Sequence, residues 1–529
     1  MDTPDTRRST PTRAPLKALS WQIVICCFLA ACCVTAATTL LLVKTTAARN
    51  PDEAKVAAVK ISAIRTGLSV GAGAGGAMAL LLAARRQWLG ERTQAHQEEV
   101  SENEIMDATE RRITDLYGKA VDQLGSDKAA VRIGGILALE RLAQANSGHR
   151  QTITDVICAY LRMPFPIPSS IDLGNVTQHT LQESFNTDEE RQEFQVRTTA
   201  QGVLKRHLSH HSKDTGDFWS DLRLDLTGAT LVTLNLANCE WDNAVFAHAR
   251  FVGTTRFKGS ESFGDSIFRG ARFYGFTDFM GTSFAGLARF DDVKFERSCD
   301  FTEATFDRGA RFDRASFSDQ ANYTLANFYD KSTFDDSTFQ GEAIFSKSHF
   351  LADAQFMRAT FGAKVRFVEA TFGGTLTISE TSFEKDARFS KAHFEGRLRV
   401  RNVNFTQVAS FAECRFDYGI SFRKVAFAGT ARFSNSLVLA GASFRETIFE
   451  KEATFTGAPN SQTVSFYGAQ FNDMANFHSS NEGSFKFENC STSHQDSFRP
   501  HPCGWLISSN PSPTGRFEVV RWYAPLMIP

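Results

Sequence analysis

Net charge is almost absent from this sequence: 58 lysines and arginines stand against 59 aspartates and glutamates, a formal balance of −1. No global field of either sign points to nucleic acid as a partner. Paired cysteine ligands are missing as well. Cys26, Cys27, Cys32 and Cys33 crowd one apolar segment, while Cys158, Cys239, Cys299, Cys414, Cys490 and Cys503 are scattered without CxxC spacing. That distribution excludes a disulfide framework and a zinc-finger pattern. There is no GxxxxGK[ST] phosphate loop, no GxSxG elbow and no HExxH helix, so the common signatures of nucleotide, acyl and metallopeptidase chemistry are lacking. Tyrosine and methionine are scarce at eight each, whereas phenylalanine occurs 48 times. One apolar residue used so often points to one structural slot filled repeatedly.

The chain, at 529 residues, is too long for a single ordinary core, so several domains are expected. Trp21 to Val43 holds 23 residues without a charge. At about 1.5 Å per residue that crosses a hydrocarbon layer of ~30 Å, and it exceeds the apolar core of a cleaved signal peptide, ~7–15 residues. A second candidate span runs from Thr66 to Ala84, flanked by Arg65, Arg85 and Arg86. Gly67, Gly71 and Gly75 share one face of it, in the GxxxG spacing that lets helices approach closely, either against the first span or a second copy of the chain. The competing reading of this segment is a Gly-rich linker. Lys and Arg number seven outside the two spans (Arg7, Arg8, Arg13, Lys17, Arg85, Arg86, Arg92) against five in the intervening loop (Lys44, Arg49, Lys55, Lys60, Arg65). That asymmetry places residues 1–20 and the C-terminal bulk in the cytoplasm.

Residues 93–163 have a helical apolar period. Met106, Ile113, Tyr117, Ala120 and Leu124 mark one helix, Val131 to Leu142 a second, and Ile153 to Leu161 a third ended by Pro164, Pro166 and Pro168. Three short helices resemble one armadillo or HEAT unit. Residues 164–221 are expected to form a linker and a helix from Asp188 to His211. His207, His210 and His211 lie at metal-sharing spacing there, but a solvated basic helix end explains them without a metal, and no metal or cofactor is expected.

From Leu226 the large apolar residue recurs every five positions: Leu226, Leu231, Leu236, Trp241, Phe246, Phe251. Two places earlier stands a small residue, as at Ala229, Cys239, Ala244 and Ala249. Beyond Phe279 the step alternates between five and six, through Phe284, Phe290, Phe295, Phe301, Phe306, Phe312 and Phe317. The ladder Phe279, Phe301, Tyr323, Phe345, Phe367, Phe389, Phe411, Phe433, Phe455, Phe477 keeps a lag of 22 without a slip. In the ladders that run from Phe290 and from Phe284, Ile378, Val400 and Val438 are apolar substitutions, and Asn460 falls in a Gly457-Ala458-Pro459-Asn460 loop signal. Neither a 3.6-residue period nor simple alternation puts such a residue on one face. A four-sided coil does, with phenylalanine stacking on phenylalanine at the ~4.8 Å strand spacing. Cys239, Cys299 and Cys414 occupy the small slot, where they act as buried hydrophobes.

This pattern, opening with DLTGATL at Asp225–Leu231, resembles the pentapeptide-repeat family in its Phe-rich form. With the helices upstream it is similar to membrane-anchored actinobacterial members. The resemblance implies an all-β solenoid, a right-handed quadrilateral β-helix with ~22 residues per coil. Residues 222–490 would form it, after an N-terminal helical region and two transmembrane helices, and 491–529 would serve as a C-terminal cap or tail. The function expected is a membrane-anchored scaffold for an unidentified protein partner, multi-pass and without catalysis. DNA mimicry directed at a topoisomerase is the alternative the family suggests. Asp221 to Cys490 holds 33 acidic against 30 basic residues, a balance of −3 that mimics phosphate poorly. An uncharacterised enzyme would have to use outward carboxylates such as Asp291, Asp292, Asp335 and Asp336.

Overall fold

The computed structural model describes residues 20–47, 53–168, 171–456, 463–477, 485–494, 497–498, 505–508, 512 and 516–521. The chain divides into two compact units, Met1–Thr114 and Asp115–Pro529.

Helix α1 spans Trp21–Ala47 and α2 spans Glu53–Leu124. The second candidate span and the first helix of the expected helical region are therefore one continuous helix of 72 residues. The loop expected between the spans is also helical from Glu53 onward. No proline lies between Glu53 and Leu124, and isolated glycines cost a helix only about 1 kcal/mol each, so nothing breaks α2 before Gly125. Both helices are long and apolar enough to cross a membrane, over Ile25–Thr45 and within Lys60–Leu124. Their large side chains are uncovered, with Leu41 67% and Leu80 74% exposed.

In the second unit, α3 (Ala129–Ala145), α4 (Arg150–Arg162), α5 (Gln178–Ser184), α6 (Asp188–Leu208) and α7 (Ser212–Thr215) precede the strands. Thr187 and Glu190 form a capping box at the start of α6, and acidic residues at its start and basic ones at its end complement the helix dipole. The helix stops at Leu208, short of the expected His211, because Ser209 turns extended and bridges to Cys239.

From Leu224 the chain winds into a parallel β-solenoid with four faces. Among the described residues, face one begins at Leu224–Asp225 and holds 13 strands, and the sheet of face two begins at Thr230–Val232 and holds 15, the last two of them antiparallel. Face three begins at Thr255–Arg256 with 11 described strands, and face four at Glu240–Trp241 with 10. Strands pair at a lag of 22 through most of the rod, as in Ala288↔Ala310 and Phe295↔Phe317. Rings stack along each face: Phe279 on Phe301 at 4.7 Å and Phe301 on Tyr323 at 4.8 Å. Rings from different faces meet edge-on, Phe279 to Phe290 at 5.5 Å and 88°. Each buried phenylalanine stabilises by roughly 1.5–3 kcal/mol, and the aromatic geometry adds about 0.5–1.5 kcal/mol per pair. The alanines two places earlier are fully buried, as at Ala288, Ala304 and Ala310.

The alternation of five and six has a backbone cause. In five-residue corners the third turn residue is left-handed, at Asp292, Glu303, Arg314, Leu325, Asp336, Lys347 and every eleventh residue to Glu446. The turn is closed by bonds such as Ala304 N–H to Phe301 O, 3.0 Å, the pattern of a type II turn. The six-residue corners bring successive coils into backbone contact instead. A Cβ on Gly396 would lie 1.9 Å from the Gly374 carbonyl oxygen, so only glycine fits there.

Both ends are covered. At the first coil, Gln201 on α6 donates to Val232 O and accepts from Val232 N–H, replacing a missing strand. At the other end Trp505–Ile507 pairs antiparallel with Phe517–Arg521, which pairs with Ser491–Thr492. Trp505 donates to Phe485 O at 2.9 Å, and Phe498 is buried against Phe477 and Phe487. Trp522, Tyr523 and the Gly457–Asn460 segment lie outside the described residues.

Replacing Phe312 by alanine should destabilise the rod by about 3–5 kcal/mol, read as a lowered urea midpoint. Leu325→Gly should stabilise the rod by up to about 1 kcal/mol, read as a raised midpoint, because it removes a left-handed strain.

Candidate functional site

The base of the rod gathers the histidines. His207 is buried, its ring stacked on Trp219 at 3.9 Å. Its Nε2 lies 2.8 Å from Glu140 and its Nδ1 2.5 Å from Asp217 O. Arg206 bonds the same Glu140. Burial opposes the Glu140 charge, but His207 and Arg206 outweigh it and hold the carboxyl below its ordinary range. His210 faces Glu240 at 3.0 Å, and His211 is exposed, 3.9 Å from Asp214. The three histidines therefore serve three different carboxylates and do not converge on one metal. The solvated helix end holds only in part, since His207 is buried beneath α3 and Trp219.

Among the described residues, His210, Glu240 and Glu261 bring one imidazole and two carboxylates within 4.8 Å of one another. Such a donor set suits a divalent cation. Here the Lys213 ammonium bonds the same Glu240 oxygen, so the chain itself supplies a positive charge to the cluster. Its structural role is direct: it ties α7 and the turn after α6 to the first strand of face four.

The rod interior is filled. A cavity of about 20 Å³ lies among Phe433, Val438, Ala442 and Phe444, where smaller side chains replace phenylalanine. It is no larger than one water and cannot admit a substrate. Cys158, Cys239, Cys299, Cys414 and Cys490 are buried and free. Burial pushes the thiols of Cys414 and Cys158 up to about 12 and those of Cys239 and Cys490 to about 11. Cys299 is driven well above its ordinary value by the same cause. These thiols are packing groups, poor as nucleophiles.

The carboxylates that could have served catalysis are each committed elsewhere. Asp291 is buried and paired with Arg289 at 2.9 Å. Asp292 receives both guanidinium arms of Arg314, at 2.6 and 2.9 Å, and Asp336 both arms of Arg358, at 2.7 Å. Asp335 accepts from Met357 N–H at 3.0 Å and from Gln355 at 2.7 Å. Burial, with Asp313 nearby, nevertheless raises its pKa. Neighbours along the chain thus face different ways, and Asp291, expected to point outward, is buried.

These pairs expose an order that the phenylalanine ladder conceals. The left-handed corner residues stack at a lag of 22, and their signs alternate. One edge reads Asp292, Arg314, Asp336, Arg358, Glu380. The diagonally opposite edge carries Lys347–Glu369 at 3.7 Å and Lys391–Glu413 at 3.9 Å. Each exposed pair is worth only about 0–1 kcal/mol, but a slipped coil would put like charges together. The signal was present in the sequence as a residue every eleven positions that is charged except at Leu325, Asn402 and Asn435.

In the apolar helices, a Cβ on Gly67 would meet Thr39 of α1 at 2.2 Å, whereas Gly71 and Gly75 have nothing within 4 Å. Gly67 therefore serves packing within the chain. The other two leave room.

A parallel four-faced solenoid with one apolar ring per face and coil defines a repeat protein. Residues 323–371, 358–403 and 411–459 match the family described as pentapeptide repeats (9 copies), a likeness carried by this stretch of the rod. No curated protein and no solved structure matches the chain.

The thiol shifts set a pH dependence. A raised native pKa means that the unfolded chain loses its proton first, near pH 8.5. The stabilisation is whole below that pH and is lost as pH rises towards 11–12. The urea midpoint should therefore fall above about pH 8.5, and less steeply in Cys239→Ala/Cys414→Ala, whose midpoint is compared across the same series.

Proposed function

We propose that this chain is a membrane-anchored scaffold whose rod offers its outer faces to a protein partner and performs no chemistry of its own. The observation that carries the anchor is the uncovered apolar surface of α1 and of α2 through Leu82, where Leu40, Leu41, Leu68 and Leu80 are all more than half exposed. So much uncovered aliphatic surface is stable in lipid and costly in water. The observations that support a scaffold are the filled rod interior and the engagement of the conspicuous carboxylates in ion pairs and backbone bonds. The net balance of the rod, −3, favours this reading over DNA mimicry. The excess of basic residues outside the two spans supports a multi-pass arrangement with the rod in the cytoplasm. Gly71 and Gly75, which line a gap with Cys27, Ala31 and Thr35 of α1 and have no described atom within 4 Å of an added Cβ, would be the place for a second copy to pack.

The test is extraction at alkaline pH. The full chain should stay with the membrane fraction, and Leu40→Lys/Leu41→Lys/Leu80→Lys should move into the soluble fraction. Wild-type protein released as readily as the variant would overturn the anchor.

A further inference from the structure

Face one changes character midway along the rod. Its early strands have two residues, and from Ala354–Met357 onward they have four. The widening creates a second outward ladder, Met357, Ser379, Arg401, Arg423, Arg445, Tyr467, Glu488, held in register by continuous pairing. Arg401, Arg423 and Arg445 are thus direct neighbours on successive rungs, about 4.8 Å apart. All three are exposed. Arg399 flanks Arg401 on the same strand, and Arg397 precedes it at the corner, both exposed.

Along the corner edges the rod sets opposite charges on adjacent rungs, as in Asp292–Arg314 and Lys347–Glu369, whereas on the faces like charges also meet, as in Arg289↔Arg311 and in Arg250, Arg272 and Lys294. Like charges directly opposite are destabilising, so a run of three arginines on successive rungs is kept at a cost to stability. The segments 397–402, 419–424 and 441–446 contain Arg397, Arg399, Arg401, Arg423, Lys424 and Arg445 against one carboxylate, Glu446. That carboxylate is shared between Lys424 at 3.8 Å and Arg445 at 3.8 Å. Arg445 also lies over the ring of Tyr467, 4.7 Å from its centroid. The other outward ladder of face one, beside the arginines, runs Arg399, Ser421, Ser443, Ser465.

We propose that this strip is the docking surface of the scaffold, and that its occupant is an acidic, extended segment of a partner protein. The inference rests on the scaffold reading above. Arginine presents a planar fork that grips carboxylates in pairs. The serine hydroxyls beside it can donate to and accept from a peptide backbone. Arginine and tyrosine together are the residues that dominate protein interfaces. Single-stranded nucleic acid fits less well, because its bases need aromatic platforms interleaved with the charges. Here serines hold those places, and the exposed aromatics, Tyr418 and Tyr467, stand at the margins.

The test uses the full chain in detergent micelles and a fluorescent peptide alternating glutamate and serine, read by anisotropy. The peptide should bind, and binding should weaken with salt. Arg401→Ser/Arg423→Ser/Arg445→Ser should weaken it by roughly tenfold and melt no lower than wild type, since it relieves repulsion. Arg272→Ser/Arg314→Ser/Arg358→Ser removes as many arginines from paired positions and should bind as wild type does. Equal binding by both variants, or no binding by wild type, would overturn the strip. So would tighter binding of an oligothymidylate or of phosphatidylserine vesicles at the same arginines. If the peptide fails while the chain still resists alkaline extraction and cross-links to a protein from another face, only this inference falls.

Discussion

Everything in the rod depends on one ring sitting over another at the strand spacing. A parallel sheet sets its rungs about 4.8 Å apart, and Phe279 lies 4.7 Å from Phe301. The hydrogen-bonding distance and the aromatic stacking distance therefore coincide, and both are satisfied by the same register. Four such columns meet edge-on at the axis, which leaves no lumen. The small residue two places before each ring follows from this, because a larger side chain at Ala304 or Cys299 would enter space the columns fill.

The corners are consequences of closing that core. Most five-residue corners turn with one residue in a left-handed backbone, and most six-residue corners turn without one, Gly309 and Gly441 being left-handed exceptions. The chain uses both in alternation and accepts left-handed arginine, lysine, leucine and glutamate where glycine would be easier. Those residues project outward on two diagonal edges, where stacking makes each of them the neighbour of the residue 22 positions away. Alternating signs then become a device of register along those edges, while the arginine run of face one lies on the strands beside them, next to the corner residues Asn402, Lys424 and Glu446.

Helices complete what the coils cannot. The first coil has an unpaired edge, and Gln201, Lys205 and Gln151 supply side-chain partners to its backbone or to the chain just before it. His207, Glu140 and Trp219 lock the helix that carries two of them. A histidine cluster that could be taken for a metal site in isolation is, in the fold, the clasp between a helical cap and a sheet.

The solenoid was legible in the sequence because its cause is local and repeated. A phase kept from Phe279 to Phe477 has one physical solution, and the buried small slot, including Cys299 and Cys414, follows from it. The apolar stretches near the N-terminus were equally plain as runs of uncharged residues. Other features depended on contacts between residues distant in sequence. The union of the second apolar stretch with the following helix, the burial of His207 and the end of α6 at Leu208 are settled by neighbours that periodicity does not name. The pairing of Asp292 with Arg314, and the arginine ladder of face one, required knowing which residues share an edge. Sequence alone determined that the chain coils and what fills the coil, since burial acts on each residue by its own chemistry. Only the tertiary structure decided which outward side chains meet, because that depends on where the corners fall and on which face has widened.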